Sequence, residues 1–202
     1  MIPALTTPLL ILLALIALGY LFGSIPFGIV IARAFGLGDL RKIGSGNIGA
    51  TNVLRTGNKL AAFLTLILDS GKAGIAVLIA RAFAGEDAAQ AAGLAAFVGH
   101  CFPIWLGFKG GKGVATFYGL LFGLYWPLGL AAGATWLIVA AARRYSSLAA
   151  LVSASTAPVW ALLLGVPQTL VLLLVLAVLV FVRHAENIVR LQMGTETKIG
   201  KK

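Results

Sequence analysis

The sequence predicts an all-α integral membrane protein with seven transmembrane helices, an external N-terminus and a cytoplasmic C-terminus. Of its 202 residues, 60% are hydrophobic and only 11% are charged, whereas soluble domains carry about 25% charged residues. The mean hydropathy of +1.00 supports the same class. Lysine and arginine outnumber aspartate and glutamate by 16 to 6. On so apolar a chain, this excess indicates loops that face an anionic membrane surface or anionic substrates.

The first half of the chain supplies three apolar segments, each close to the roughly 20 residues that a spanning helix needs. The first segment, 2–22, contains no charge, and the first cation after it is Arg33. Because positive charge stays in the cytoplasm, this span is expected to run from outside to inside. Pro26 is expected to bend its inner end. The second span then returns to an acidic turn at 86–87, and the third leads back to a basic loop.

The segment 114–142 is too long for one simple span and is interrupted by Pro127. A single helix would place Arg143 and Arg144 outside, whereas a hairpin that turns at Pro127 returns them to the cytoplasm. We therefore predict one membrane-embedded domain over 1–202, with a short, tilted fourth span. The predicted spans are 2–22, 60–83, 88–108, 114–126, 128–142, 148–165 and 169–182. This topology places fourteen of the 16 basic residues inside, including both C-terminal lysines.

Polar residues collect in three blocks at the predicted cytoplasmic ends, and block one covers 41–59. Its glycines allow a tight turn whose N–H groups can point at an anion, and its terminal arginine offers a planar fork that suits phosphate. The candidate substrate-binding residues of block one are Ser45, Gly46, Asn47, Thr51, Asn52 and Arg55. The alternative is a flexible polar loop. The match to G-x-G-x-x-G does not favour a dinucleotide site, because no strand precedes it.

Block two covers 99–116 and contains two lysines among glycines at the start of the fourth predicted helix. Exposed N–H groups at a helix N-terminus, together with two ammonium groups, suit a phosphate. The candidate residues are Lys109, Gly110, Gly111, Lys112 and Gly113. The segment is not a Walker A loop, since Gly113 stands at the Ser/Thr position. The alternative is a positively charged membrane anchor with glycines for a turn.

Block three covers 183–198 and is expected to continue the last helix out of the membrane. On such a helix His184 and Asn187 share one face, and Glu186 and Arg190 can pair at i, i+4. The alternative is a solvated helix end with an ion pair. The last nine residues of the chain are expected to form a solvated extension.

Three further polar residues lie inside predicted spans. Asp69 and Lys72 are three residues apart, and because intramembrane charges are costly they are expected to pair and to face the bundle interior or a site. His100 lies about two helical turns inside its span, where a hydrogen-bonded structural role competes with a catalytic one. The single cysteine, Cys101, excludes an internal disulfide framework and is expected to be buried and inert.

The three blocks, with Gly-Ser-Ile-Pro-Phe-Gly at 23–28 and Leu-Asp-Ser-Gly-Lys at 68–72, resemble the bacterial acyl-phosphate:glycerol-3-phosphate acyltransferase family. The resemblance covers nearly the whole chain. It implies a multi-pass enzyme of the bacterial inner (plasma) membrane whose active site faces the cytoplasm. Such an enzyme makes lysophosphatidic acid from glycerol 3-phosphate and a fatty acyl phosphate, the first acylation of phospholipid synthesis.

The resemblance also implies roles, partners and the absence of a cofactor. The implied glycerol-phosphate site falls on Ser45, Asn47, Arg55 and the loop 109–113. The implied catalytic and acyl-phosphate groups are His184 and Asn187, with His100 and Lys112 close by. The expected partners are the two substrates, membrane lipids and the enzyme that forms acyl phosphate, but no nucleic acid.

The chemistry of such a reaction suits this set of residues. An acyl phosphate is already activated, so the protein mainly has to position two anions and neutralise charge. The carboxylates are too few and too scattered to suggest a metal site. Neither histidine is followed five residues later by aspartate, the pattern of soluble-headed glycerolipid acyltransferases. His100, His184 and Glu186 remain candidate bases, and the resemblance favours a phosphate oxygen of the substrate itself.

Two other classes of function remain open from the residues alone. A transporter for a phosphorylated metabolite would place its binding groups near the membrane midplane, often at broken helices. A non-catalytic assembly protein would not need three blocks of small donors and cations at one membrane face.

Overall fold

The computed structural model describes residues 1–200, and every regular element in that range is a helix. The α-helices of this range are α1 Leu9–Gly23, α2 Phe27–Ala34, α3 Ala50–Leu54, α4 Lys59–Ala84, α5 Glu86–Cys101, α6 Val114–Leu124, α7 Trp126–Arg143, α8 Ser146–Leu163, α9 Leu170–Arg183 and α10 Ala185–Gln192. Short 3₁₀ turns lie at Leu40–Lys42, Ile104–Leu106 and Pro167–Thr169. The all-α prediction is confirmed. Lys201 and Lys202, which we expected to lie inside, are outside the described residues.

The chain folds into two compact units. The N-terminal unit is Leu5–Leu124, and the C-terminal unit combines Met1–Ala4 with Tyr125–Lys202. Blocks one and two therefore belong to the N-terminal unit, and block three belongs to the C-terminal unit. The single domain over 1–202 stays a prediction.

The first helix begins at Leu9 rather than at residue 2. Pro8 occupies its N-cap position, and the residues before it are held by the start of α5. The backbone N–H groups of Thr6 and Thr7 donate to Oδ2 of Asp87 at 3.0 and 2.9 Å. These bonds tie the preceding chain to α5 in place of a further helical turn.

The first span is interrupted at Pro26, since α1 ends at Gly23 and α2 begins at Phe27. Glycines bring α5 close to this break. A methyl group at Gly99 of α5 would lie 2.9 Å from the backbone nitrogen of Ser24. Close approach through small residues is the usual way in which helices pack inside a membrane. It places the C-terminal end of α5, with His100, beside the break in the first span.

The helices of the described residues agree with the predicted membrane class. The segments long and apolar enough to cross a membrane are Leu9–Ala34, Lys59–Ala84, Glu86–Leu106 and Ser146–Leu163. Pro167–Arg183 and Ala185–Gln192 form a bent pair that can count as a fifth, and Val114–Leu124 is apolar but shorter. Seven spans and the orientation of the termini stay predictions.

The long segment 114–142 is broken near Pro127, as predicted. α6 ends at Leu124, and Pro127 lies in the first turn of α7. Arg81 caps α6, since its Nη1 and Nη2 donate to the last two carbonyl oxygens of that helix at 2.6 and 2.9 Å. Its Nε also donates to Oε2 of Glu86 at 2.9 Å. The end of α6 therefore lies beside the turn between α4 and α5.

The described part of the C-terminal tail, residues 194–200, is exposed except at Glu196, as predicted, and it is also bonded to the loop between α7 and α8. The backbone N–H of Ile199 donates to the carbonyl oxygen of Arg144 at 2.6 Å, and Nη2 of Arg144 donates to the carbonyl oxygen of Ile199 at 3.0 Å. The ammonium of Lys198 lies 5.6 Å from the ring centre of Tyr145. The sequence did not predict these contacts, because their partners lie in the loop between α7 and α8.

Candidate active site

Block one is organised around Asn52, whose side chain is buried. Its Nδ2 donates to the carbonyl oxygen of Leu40 at 2.8 Å. Its Oδ1 accepts from the backbone N–H of Ser45 at 3.2 Å and from Nη1 of Arg55 at 3.3 Å. One amide thus holds Ser45 and Arg55 side by side. The buried amide of Asn52 is bonded to three groups of the protein, which suits a positioning role. Direct binding of substrate by Asn52 stays a prediction.

Two glycines of block one adopt the left-handed backbone region, with φ of +53° at Gly44 and +69° at Gly46. This region strains any residue with a side chain. At Gly44 a methyl group would also lie 2.6 Å from Oδ1 of Asn52 and 2.7 Å from Cδ of Arg55. The predicted tight turn is confirmed. It presents Ser45 at its tip, between the two glycines.

The side chains of Ser45, Thr51 and Arg55 are exposed, whereas Asn47 is half-buried. The Oδ1 of Asn47 accepts from the backbone N–H of Ile48 at 2.9 Å, so its amide nitrogen is the end that can face a ligand. A hydroxyl and a guanidinium fixed next to each other suit the oxygens of one phosphate, because the guanidinium can make two parallel charged hydrogen bonds.

The glycine loop of block two, residues 109–113, is fastened to the end of α5. The backbone N–H of Gly110 donates to the carbonyl oxygen of Cys101, and that of Gly111 to the carbonyl oxygen of His100, both at 3.1 Å. These two N–H groups are therefore paired within the protein, and binding of substrate by Gly110 and Gly111 stays a prediction. The two hydrogen bonds shape the loop.

The loop then turns directly into α6. Gly113 has φ of +80°, and a methyl group on it would overlap the ring of Phe97. Lys109 is exposed and Lys112 is half-buried just before the first residue of α6. The first N–H groups of a helix have no partner within it, and its N-terminus favours an anion. Lys112 and this helix start therefore form the part of block two best suited to a phosphate.

The predicted intramembrane pair is confirmed. Nζ of Lys72 lies 2.9 Å from Oδ1 of Asp69, and both side chains are buried. His100 joins the pair, with its Nδ1 2.8 Å from Nζ of Lys72. Sequence reasoning treated His100 separately, because residues 28 positions apart give no sign that they meet.

Block three is not a straight continuation of the last helix. α9 ends before His184, α10 begins after it, and the two helices are bent by 64°. The buried ring of His184 has its Nδ1 2.8 Å from the carbonyl oxygen of Val180. Asn187, one turn later, is also buried. His184 thus lies at the bend itself, and Asn187 lies in the first turn of α10.

Glu196 was missed by sequence reasoning and is the centre of block three. Its Oε1 accepts from Oγ of Ser147 at 2.7 Å and from Nδ2 of Asn187 at 2.6 Å, and its Oε2 accepts from Nε of Arg190 at 2.7 Å. The predicted pair of Arg190 with Glu186 is present but longer, at 3.8 Å. The scarcity of carboxylates is the one signal that could have drawn attention to Glu196, since the chain has only six acidic residues.

The hydrogen bonds that Glu196 accepts lower the pKa of its carboxyl group. Burial alone would raise its pKa, but the bonds from Ser147, Arg190 and Asn187 outweigh burial and hold the pKa below the ordinary value of a glutamate. A group whose pKa is lower in the folded protein stabilises the fold at any pH above its unfolded pKa of about 4.3. That stabilisation is lost as the pH falls through the lower pKa of the folded state.

We therefore expect Glu196→Gln to lower the melting temperature of the detergent-solubilised protein at neutral pH. The difference from the original protein should shrink on acidification below about pH 4, because protonation leaves the original protein with a neutral side chain at this position, as the variant already has. The matched control is Glu186→Gln, whose carboxylate is 84% exposed and should contribute little. Equal effects of the two variants would contradict the role assigned to Glu196.

Within residues 1–200, His, Cys, Asp and Glu side chains do not form a group of three that could hold a metal ion. Cys101 is fully buried and reduced, as predicted.

The comparisons with known proteins identify the family. The model of the glycerol-3-phosphate acyltransferase family matches residues 13–194. The chain belongs to the glycerol-3-phosphate acyltransferase family. It is 66% identical over 200 residues to the glycerol-3-phosphate acyltransferase of Cereibacter sphaeroides, covering 99% of this chain and 95% of the relative. It is also 66% identical over 202 residues to that of Ruegeria sp., covering 100% of both.

Two crystal structures resemble this acyltransferase over nearly all of its length. PlsY, an integral membrane glycerol 3-phosphate acyltransferase, has a TM-score of 0.88 in its glycerol 3-phosphate form, with 41% identity over 94% of this chain and 96% of that one. Its lysophosphatidic acid form has a TM-score of 0.85 and 38% identity, over 94% and 95% of the two chains. The predicted family, the enzyme class and the membrane class are confirmed.

Proposed function

We propose that the enzyme transfers a fatty acyl group from acyl phosphate to glycerol 3-phosphate, giving lysophosphatidic acid and phosphate. The observation that carries the proposal is the exposed pair of Ser45 and Arg55, held together by one buried amide in a member of this family. The glycerol 3-phosphate and lysophosphatidic acid forms of PlsY support the acceptor and the product. Acyl phosphate as donor rests on the resemblance of the three blocks.

The N-terminal unit supplies the residues that we assign to glycerol 3-phosphate. Arg55 and Ser45 bind its phosphate, with the amide of Asn47 and the hydroxyl of Thr51 as further donors. Gly46 and the glycines of the loop at 109–113 shape the two turns. Lys109 attracts the anion from solution, since it is exposed. Lys112 neutralises charge that develops during transfer.

Block three supplies the residues that we assign to the donor. His184 and Asn187 bind the acyl phosphate and orient its carbonyl group. Both are buried and held by hydrogen bonds, to Val180 and Glu196 respectively, and such fixed groups can stabilise an oxyanion without reorganising. Membrane lipids surround the acyl chain, and an enzyme that forms acyl phosphate supplies the donor.

The transfer is direct. The acceptor hydroxyl oxygen attacks the acyl carbon, the bond from that carbon to the phosphate oxygen breaks, and phosphate leaves with the electron pair. The hydroxyl proton passes to a phosphate oxygen of the substrate. A serine nucleophile would need a base within hydrogen-bond reach, whereas Ser45 lies beside the neutral amide of Asn52. Cys101 is fully buried.

Because the transfer is direct, we expect no acyl-enzyme. Incubation with radiolabelled acyl phosphate alone, followed by denaturation and counting, should leave no label on the protein. Cys101→Ala should remain active, and Ser45→Ala should weaken the use of glycerol 3-phosphate without trapping an intermediate. Stoichiometric label that disappears when glycerol 3-phosphate is added would show that the mechanism is covalent.

We also propose seven spans, an external N-terminus and an active site that faces the cytoplasm of the bacterial inner membrane. The contact of Arg81 with the end of α6 supports this topology, because it puts the end of α6 on the side of the acidic turn at 86–87. A reporter fused after Glu86 is expected to be external, and one fused after Tyr145 cytoplasmic. An external signal from the Tyr145 fusion would contradict the hairpin at Pro127 and therefore the prediction of seven spans.

The buried cluster of Asp69, Lys72 and His100 beside a broken helix is the feature that a transporter of phosphorylated metabolites would also show. Purified protein in proteoliposomes separates the two functions. Uptake of glycerol 3-phosphate without formation of lysophosphatidic acid would favour the transporter.

The decisive experiment supplies purified protein with palmitoyl phosphate and glycerol 3-phosphate and follows the release of phosphate. We expect release that requires both substrates. Turnover with acyl-CoA and none with acyl phosphate would overturn the assigned donor.

A further inference from the structure

Three ionisable side chains meet inside the N-terminal unit, within hydrogen-bond distance of one another. Nζ of Lys72 lies 2.9 Å from Oδ1 of Asp69, 2.9 Å from the carbonyl oxygen of Ile25 and 2.8 Å from Nδ1 of His100. An ammonium has three protons and no acceptor, so these three acceptors satisfy it completely. A charged Lys72 would use Nδ1 of His100 as an acceptor, which requires the imidazole tautomer with its proton on Nε2. Nδ1 also lies 3.5 Å from Oδ1 of Asp69.

The cluster is costly to build. Asp69, Lys72 and His100 are only 2%, 1% and 5% exposed. Burying an ion pair seldom gains stability over apolar residues of the same volume, and charge inside a membrane usually marks a functional region. Helix packing between α4 and α5 would be served equally well by leucine and methionine. The arrangement therefore calls for a role other than stability.

The cluster is connected at both ends to parts of the chain that are not regular helix. On one side Lys72 holds the carbonyl oxygen of Ile25, in the break between α1 and α2. On the other side His100 contacts the glycine loop 109–113. Its carbonyl oxygen accepts from the N–H of Gly111 at 3.1 Å.

The imidazole ring of His100 also lies directly against Gly111. A methyl group on this glycine would overlap Nε2 and would lie 2.9 Å from Cε1 and 3.1 Å from Cδ2. Rotation of the ring would therefore displace Gly111, and with it the neighbouring residue Lys112. Lys72 prevents that rotation, because it holds Nδ1 from the opposite side of the ring.

We propose that Asp69, Lys72 and His100 form an intramembrane strut that positions the glycine loop 109–113 for the acyl transfer. In the strut Asp69 keeps Lys72 charged and oriented, Lys72 fixes the ring of His100, and the ring sets the path of the backbone at Gly111. This inference rests on the proposed function of Lys112 in neutralising charge during transfer. It makes all three members positioning residues, and His100 is then not the general base.

The double variant Asp69→Leu/Lys72→Met tests the strut. Leucine has the shape of aspartate and methionine approximates lysine, so the pair is replaced without an unpaired buried charge and should fold. A strut predicts that kcat falls by about ten- to a hundredfold, as small misplacements of catalytic groups do, while the KM for glycerol 3-phosphate changes little. If the pair has only a structural role, the melting temperature should change while kcat stays equal to that of the unaltered protein.

The matched control is Arg81→Gln/Glu86→Gln, which removes an ion pair between the C-terminal end of α4 and the start of α5. It should leave kcat unchanged. His100→Asn provides a second test if the double variant does not fold. Asparagine keeps an acceptor for Lys72 near the position of Nδ1 but removes the ring from Gly111, so the strut predicts a folded protein with reduced kcat.

The strut would be overturned if a folded Asp69→Leu/Lys72→Met variant, or His100→Asn, had the same kcat as the unaltered protein. The same assay of the unaltered protein reports on the proposed function independently. If the unaltered protein releases no phosphate from palmitoyl phosphate, the assigned reaction fails. If it does and the variants match it, only the strut fails.

Discussion

Replacement of Arg55 by lysine is expected to raise the KM for glycerol 3-phosphate by about tenfold to a hundredfold, with correct folding preserved. Lysine keeps the positive charge but loses the planar fork. A charge-assisted hydrogen bond contributes about 1.5–3 kcal/mol, and each 1.4 kcal/mol is about a factor of ten in binding. The bond from Nη1 to Oδ1 of Asn52 would also be lost, so the lysine would no longer be held beside Ser45. Steady-state kinetics over a range of glycerol 3-phosphate concentrations measure the change.

The matched control for this variant is Arg41→Lys. Arg41 lies in the same block and is exposed like Arg55, so the control changes the same chemical group at the same membrane face. We expect its KM to stay within about twofold of the original. The substitution keeps the positive charge, and an exposed side chain contributes little to binding through its exact shape. An unchanged KM in Arg55→Lys, or an equal rise in both variants, would remove the bidentate phosphate contact from the mechanism.

The sequence could predict those parts of the fold that depend on one-dimensional pattern. Apolar length gave the helices, and Pro26 and Pro127 gave the positions of two breaks, because a proline removes a helical hydrogen bond wherever it stands. The start of the first helix was not predictable in the same way. It depends on Asp87, about 80 positions further along the chain, which accepts hydrogen bonds from the backbone N–H groups of Thr6 and Thr7.

The sequence could predict which residues form the candidate site, but not the role of each residue. The sequence placed Ser45, Asn52 and Arg55 together because they are close along the chain. It could not show that Asn52 is buried and holds the other two. The bonds of the Asn52 amide depend on how the loop folds on distant residues such as Leu40, and no sequence pattern indicates them.

The same limit explains the glycine loop and Glu196. Glycines among lysines at a helix start are typical of anion binding, but the carbonyl oxygens of His100 and Cys101 at the end of α5 compete for two of the N–H groups. Glu196 stands in a segment of mixed charge that resembles a solvated tail. Its partner Ser147 is 49 positions away, and no periodicity connects them.

Removal of the second lysine of the glycine loop, in Lys112→Ala, is expected to have the largest effect on the chemical step. Loss of a group that stabilises charge in a transition state costs about a hundredfold to a thousandfold in kcat. Lys112 is half-buried and precedes the N-terminus of α6, where charge is screened less than at the surface. Because the departing phosphate gains charge only as the bond to the acyl carbon breaks, the ammonium acts mainly in the transition state.

The split between kcat and KM distinguishes this role from simple attraction of the anion. Lys112→Ala should lower kcat with little change in the KM for glycerol 3-phosphate, since an interaction made only in the transition state has that signature. Lys109→Ala, in the same loop but exposed, should instead raise KM, and the rise should vanish at high salt.

Lys42→Ala, an exposed lysine of block one, controls for loss of a charge at this face and should change neither constant. A kcat in Lys112→Ala equal to that of Lys42→Ala would show that Lys112 has no part in the transfer. A fall in kcat for both loop variants would mean instead that the loop acts through its summed charge, and that the fixed position of Lys112 contributes nothing.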